Sequence, residues 1–394
     1  MLRMSSSKWK KGTSGSPSGS APRPRASLVL LLSAAHPPDD LRVVGKEGAA
    51  LVEAGWRVRH LCPGTLGPAS HAGVAIEQYA RRAGWTGRVF GIAALARRAA
   101  ASGATVIHAS EPDAWLAALL AARRSKARVV LDVHEHYPSR LDARLPFVLR
   151  PLARGAIRFA CRAMARRADA VVVAKDGLAA DFGVPARVVA VRNYALPAVV
   201  TPRVHAAGPV TLVHLGAFGR VRGWPTLLDA LALAPAETRL LAIGRFTDGS
   251  EKAFHDRAAA LGLTQRVELL GWMPHEDALA RAARGDIGVV LFQPGEQNHR
   301  LALPHKLFDA MLAGLPVIAP RFATEVAAIV RESVCGELVD PADPADIAAA
   351  IARLGDPARR AAMGAAGRDA ALTRYSWTGE AARLVALYKK LTAA

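Results

Sequence analysis

From residue 28 onward, short apolar runs alternate with longer Ala-rich stretches whose apolar positions recur every three to four residues. The runs read as buried strands and the stretches as helices. In the first half the strand candidates are 28–33, 57–61, 105–109, 128–132, 169–174 and 187–191, with helices such as 40–54, 90–101 and 112–124 between them. After the Pro-bearing segment VRNYALPAVVTPRVHAAGP the pattern restarts, with strand candidates 210–215, 239–243, 266–270, 286–292, 316–319 and 336–339. Alternating βα units imply parallel sheets covered by helices on both faces. The expectation is an α/β protein with two doubly wound domains, 28–197 and 210–375, joined by a linker over 198–209. In such sheets ligands bind at the carboxyl ends of the strands, so the site is expected in a cleft between the domains. Segment 376–394 reads as an amphipathic helix, with Leu384, Leu387 and Leu391 on one stripe, packing back toward the N-terminal domain. Residues 1–27, rich in Ser, Gly, Pro, Lys and Arg, read as a disordered basic tail.

Composition narrows the class. The chain has 394 residues, 51% of them hydrophobic, enough for two sizeable cores. Cys62, Cys161 and Cys335 lie far apart, which argues against a disulfide framework or a cysteine metal site and fits a cytoplasmic location. No uninterrupted apolar run reaches the length of a membrane span. The run LVLLLSAA (28–35) reads as a first buried strand rather than a signal peptide. The net charge of +19 points to anionic substrates or an anionic membrane surface. Nucleic acid is disfavoured, because no recognition motif accompanies the charge. Arg150, Arg154, Arg158, Arg162 and Arg166 recur at every fourth position in PLARGAIRFACRAMARRADA. On a helix they span an arc of about 160°, with Val148, Leu152, Phe159, Ala163 and Met164 largely opposite. The pattern predicts a surface helix with its apolar side on the sheet and a solvated arginine face. That face is a candidate contact for anionic lipid headgroups or a lipid-phosphate acceptor.

Candidate chemistry concentrates in the second half. Within 294–341, Pro304, His305 and Lys306 open a helix, and Gly314 closes it where a left-handed cap is wanted. A helix start after a strand is an anion site, because free N–H groups and the helix dipole converge there. Lys306 adds a full charge and Asp309 follows one turn later, so a phosphorylated ligand is expected. Upstream, VTLVHLGAFGRVRGWPTLLDAL runs from a strand into a loop with Gly216, Gly219 and Gly223, and Pro225 starts the next helix. Arg220 and Arg222 flank that turn, and guanidinium groups grip a diphosphate bidentately. The loop is neither a Walker A nor a G-x-G-x-x-G motif. In the first half, LDVHEHYP sets His134 just past a strand end, with Glu135 beside it, and the imidazole offers donor and acceptor nitrogens near neutral pH. In the turn HPPDD (36–40), Asp40 is expected to pair with Arg42.

Three pieces resemble the retaining family 4 glycosyltransferases, which have the GT-B architecture of two Rossmann-like domains. They are LGAFGRVRGWPTLLDAL, LGWMPHEDALARAARGDIGVVLFQP and LPHKLFDAMLAGLPVIA with CGELVDPADPADIAAAIARL. The closing segment from Met363 is similar too, and HPPDDLRVVGKEGAALVEAGWRVRHL and LDVHEHYP match more loosely. The resemblance covers nearly all of 28–394. It implies transfer of a sugar from a nucleotide-diphosphate sugar to an acceptor such as a glycan or lipid-linked glycan precursor, with retention and without cofactor or metal. It assigns Arg222 and Lys306 to the diphosphate, Asp309 to the ribose hydroxyls and His134 to the donor sugar. Gly216, Arg220, Met273, Pro304 and Leu307 complete the donor site, with backbone of 272–274 toward the base. The sequence departs from the pattern at Ala217, where an Arg is usual, and at Leu301, where a sugar-contacting Glu is common. The identity of the sugar stays open. So do two alternatives, a nucleotide-sugar epimerase of the same architecture and a catalytically silent nucleotide-sugar-binding protein. No pair of carboxylates stands in glycosidase-like roles, which disfavours a hydrolase. The resemblance and the basic helix together imply an enzyme peripheral on the inner face of the membrane.

Overall fold

Strand β1 (Leu28–Leu32) is apolar on both faces, and both faces are covered. Val29 and Leu31 join one apolar cluster, and Leu30 and Leu32 join another. This is what places β1 inside a parallel sheet rather than at its rim. The computed structural model describes residues 27–393 except Leu66, Arg82 and Ala83. The tail expected over 1–27 therefore lies, but for its last residue, outside the described residues.

The first sheet contains β1, β2 (Arg57–Pro63), β3 (Ser70–His71), β4 (Val74–Tyr79), β5 (Val106–Ala109), β6 (Arg128–Val133), β7 (Ala170–Val173) and β8 (Val188–Ala190). Their order is β3-β4-β2-β1-β5-β6-β7-β8, and every pair is parallel except the short β3–β4 hairpin. The second sheet contains β9 (Thr211–Leu215), β10 (Arg239–Ile243), β11 (Val267–Leu270), β12 (Ile287–Val289), β13 (Val317–Pro320) and β14 (Gly336–Val339). Its order is β11-β10-β9-β12-β13-β14, and all of its pairs are parallel. In each sheet the strand order reverses beside the first strand, between β1 and β5 and between β9 and β12. Those switch points are where the carboxyl ends of the strands leave a crevice. The molecule is thus the α/β arrangement of two doubly wound domains that the strand–helix alternation implied.

The pattern search missed β4. That strand is only partly buried beyond Val74, and its apolar residues give way to Glu77 and Gln78, so it presents no long apolar run. The run 286–292 is buried throughout, but only Ile287–Val289 pairs as a strand.

The final helix, Trp377–Thr392, leaves the second sheet and returns to the first. Trp377, Leu384 and Tyr388 pack with Val29, Leu31 and Val43 in one cluster. The return is pinned beside the linker, where Ala195 N–H donates to the Tyr375 carbonyl at 2.8 Å and Trp377 N–H to the Ala195 carbonyl at 2.7 Å. Burying a side chain such as Leu384 stabilises this docking by about 1.5–3 kcal/mol.

The arginine-rich segment forms a helix over Arg150–Ala165, turned part-way from the expected orientation: Met164 packs on the core and Arg154 and Arg166 are exposed, as expected, but other positions exchange sides. Leu152 and Phe159 face solvent, and small residues, Cys161 and Ala165, lie against the sheet. Arg158 Nε donates to Asp181 at 2.7 Å, Arg154 Nε to Asp142 at 3.0 Å and Arg150 Nε to the Leu145 carbonyl at 3.1 Å. Carboxylates on neighbouring segments draw the guanidinium groups, while Ile157 and Met164 pack beside Cys161 and Ala165 on the first-domain core.

Candidate active site

The second domain builds one wall from its switch point. After β9 the chain turns at Gly216 and again at Gly223, whose φ is +88°. A Cβ at Gly223 would stand 2.0 Å from the Leu291 carbonyl oxygen, so only glycine fits there. That tight return carries Arg222 into the cleft between the domains. Beside it starts the helix His305–Leu312, preceded by Pro304 and without a side-chain cap at its N-terminus. Lys306 Nζ lies 2.9 Å from Nε2 of His214, the buried histidine of β9. Burial, then the charge of Arg222, pushes the Lys306 pKa down to about 7. His214 is held neutral well below its usual range by burial and by Lys306. One turn later the buried Asp309 accepts a hydrogen bond from His275 Nε2 at 2.9 Å. Met273 is half-buried against the core. A smaller cavity of about 160 Å³ runs past Gly216, Gly244 and Gly271 at the ends of β9, β10 and β11.

Two residues expected in the donor site have other contacts here. Arg220 does not join Arg222: its guanidinium sits over the Trp224 ring, 5.2 Å from the centroid. The Trp224 ring is itself buried in the domain core, and cation–π contact holds the Arg220 side chain over it. Leu307 is fully buried in the core beneath the helix, and its N–H turns back to the Pro304 carbonyl.

The first domain supplies the facing wall. His134 follows β6 and lines a cavity of about 510 Å³ together with Arg222, Pro304 and His305. Asp132, two residues earlier on the same strand face, accepts a hydrogen bond from His134 Nε2. The same carboxylate meets Arg42 at 3.2 Å and His108 at 3.5 Å. Arg42 also pairs with Glu47 at 2.7 Å, and His108 Nδ1 lies 2.8 Å from the Tyr388 hydroxyl. Glu47, His108 and Asp132 are close enough to share a cation, and the Arg42 guanidinium already stands among them. The expected Asp40–Arg42 ion pair is therefore not made. Asp40 instead caps the following turn through the N–H groups of Arg42 and Val43 and contacts His36 Nδ1 at 2.9 Å. Burial opposes charge on His36, but Asp40 and Glu111 override it and raise the pKa to about 9. The His36 and His134 rings meet edge-on, 4.8 Å apart. Glu111 fixes this first loop by accepting the N–H groups of Ala34, Ala35 and His36.

The cleft also contains His36, which opens the HPPDD turn, and Lys175 and Asn193, which the sequence pattern did not single out. Each follows a strand end within four residues, after β1, β7 and β8, and that signal had already pointed to His134. Leu301, at the position where the resemblance implies a glutamate, packs on the first domain. A Cβ at Gly177 would sit 2.7 Å from its Cδ2. Of the arginine series, none lines this cavity.

Two facing Rossmann-like domains with a phosphate-type helix start on one wall define a GT-B protein. Two family models match in series: one described as glycosyl transferase 4-like domain over residues 42–195, the other as glycosyl transferases group 1 over 209–356. The chain belongs to the group 1 glycosyltransferases. It is 28% identical to a phosphatidyl-myo-inositol mannosyltransferase of Mycobacterium leprae, over 72% of this chain and 73% of that one. It is 29% identical to an MMP alpha-(1->4)-mannosyltransferase of Mycolicibacterium hassiacum, over 34% of this chain. That match spans only 32% of the relative's length. Among solved structures it resembles Anabaena Alr3699/HepE in complex with UDP, at a TM-score of 0.70 and 16% identity, covering 93% of this chain and all of that one. It also resembles sucrose-phosphate synthase from Thermosynechococcus elongatus, at a TM-score of 0.71 and 21% identity, covering 93% and 99%. At these identities the two structures support the fold alone.

Proposed function

We propose that this chain transfers a sugar from a nucleoside-diphosphate sugar to an acceptor hydroxyl with retention of configuration. One observation carries the reading: Arg222 and the uncapped helix start at His305 face His134 across a single cavity. The diphosphate lies against that helix start, between Arg222 and Lys306, and the ribose hydroxyls reach Asp309. As the bond from the anomeric carbon to the diphosphate breaks, its electrons go to the phosphate oxygen, whose charge Arg222 and Lys306 neutralise. The acceptor oxygen bonds to the same carbon from the same face, and its proton passes to the departing phosphate. His134, oriented by Asp132, holds the donor sugar. The scheme uses no metal or cofactor. The acceptor is a glycan or a lipid-linked glycan precursor, met at the cytoplasmic face of an anionic membrane. In support, one similar relative is named for phosphatidyl-myo-inositol and one similar structure contains UDP.

The test is release of nucleoside diphosphate from UDP-, GDP-, ADP- and TDP-sugars, with and without an acceptor panel. One donor should turn over, and Lys306→Ala should abolish turnover. Tight donor binding with no turnover on any acceptor would overturn the reading in favour of a silent binding protein.

A further inference from the structure

The helix Arg150–Ala165 shows solvent what a surface helix ordinarily buries. Phe147 and Val148 in the preceding turn are each 79% exposed, Leu152 is 75% and Phe159 is 70%. Val148, Leu152 and Phe159 fall at helical spacing on one face, and Leu149 and Leu141 extend the patch. A single exposed leucine needs no explanation, but a contiguous apolar stripe on one element does. Nor is the patch an accident of a mobile surface, because the arginines of the same helix are tied down by Asp142 and Asp181.

What covers the stripe is indicated by charge. Arg140, Arg144 and Arg154 are exposed in the segment that carries the patch, Arg140 paired with Glu135 and Arg154 with Asp142, and the Arg150 guanidinium lies over the Phe147 ring at 5.9 Å. The whole chain carries +19. An apolar ledge within a basic rim matches an anionic bilayer in depth order, with rings in the acyl boundary and guanidinium groups at the phosphates. The ledge also follows directly on His134–Ser139, the segment that leaves the cleft wall.

We propose that Phe147, Val148, Leu152 and Phe159 insert into the headgroup–acyl boundary of an anionic membrane and seat the first domain with its cleft beside the surface. The inference rests on the reading of a lipid-linked acceptor, but its test needs no donor. The full chain is sedimented with phosphatidylcholine vesicles, with and without phosphatidylglycerol. The parent binds the anionic vesicles. Phe147→Ser/Leu152→Ser/Phe159→Ser lowers the partition coefficient by at least about tenfold, while Leu233→Ser, exposed on the second domain, leaves it unchanged. Equal sedimentation of parent and triple variant overturns the proposal. So does a parent that self-associates without lipid through the same residues, which assigns the face to a second copy. A parent that hydrolyses donor in lipid-free buffer yet ignores vesicles overturns the bilayer contact alone. One that binds vesicles but turns over no donor overturns the transferase reading alone.

Discussion

Lys306 Nζ sits 2.9 Å from His214 Nε2, and that same nitrogen lies 3.1 Å from the Ala217 carbonyl. When Nε2–H donates to Ala217, it leaves Lys306 no acceptor. Burial and Arg222 then keep the lysine pKa near 7, so an arriving diphosphate is what restores its charge. Nucleoside diphosphate affinity should be flat below pH 7 and fall by up to about tenfold per unit above it, where binding must take up a proton. Calorimetry in buffers of different ionisation enthalpy reads that uptake directly. Lys306→Arg should remove the pH slope, because guanidinium stays protonated throughout.

His134 should act on the rate rather than on donor affinity. With Asp132 holding Nε2, the ring is fixed facing the cleft and its Nδ1 is left for substrate. His134→Gln should lower kcat by about 10²-fold or more, with the donor KM changed by less than about threefold. Initial rates against donor concentration separate the two. A pure KM effect would reassign His134 to ground-state binding.

Asp309 is engaged before any ribose arrives. His275 holds one of its oxygens at 2.9 Å, a bond that raises the His275 pKa ahead of the opposing effect of burial. Asp309→Ala should weaken nucleotide binding by about 10–100-fold, the loss of one or two hydrogen bonds to a charged acceptor. His275→Ala removes a competitor, so affinity should hold or tighten, most visibly at low pH where the imidazolium binds Asp309 best. Titration of nucleotide against both variants at two pH values decides the sign.

How far the molecule was legible in its sequence depends on the range of each relationship. Local signals held. Apolar runs located the buried parallel strands but not β4, and strand ends pointed to His134; Lys175 and His36 also stand just past strand ends. Asp132 near the end of β6 and His134 just past it are two residues apart and share a face by extended-chain geometry alone. Tyr388 and His108 lie 280 positions apart, and no periodicity links them. The helix Arg150–Ala165 shows a different limit. Spacing sorts residues into two faces but does not say which is inside. There Cys161 and Ala165, with Ile157 and Met164 beside them, took the interior, and Leu152 and Phe159 were left outside.

The buried cluster makes the last prediction, because its charges must balance without water. Glu47 and Asp132 are offset by Arg42 and by His108, whose burial opposes charge but whose two carboxylate neighbours raise its pKa from 6.5 to about 9. A histidine raised in the folded state contributes stability that is fully present below pH 6.5 and is lost as pH rises through 9. Lys46 and Lys306, both lowered to about 7, act in the opposite direction above that pH, so the raw stability profile mixes the signs. Comparing the parent with His108→Gln cancels the lysines. The stability gap between them should be widest below pH 6.5, on the order of 2–3 kcal/mol, and should narrow steadily toward pH 9. Tyr388→Phe, which removes only the hydroxyl at His108 Nδ1, should cost about 1 kcal/mol with little dependence on pH. Denaturant midpoints at pH 6, 7.5 and 9 measure both, and a gap that stays constant would show that His108 is neutral in the fold.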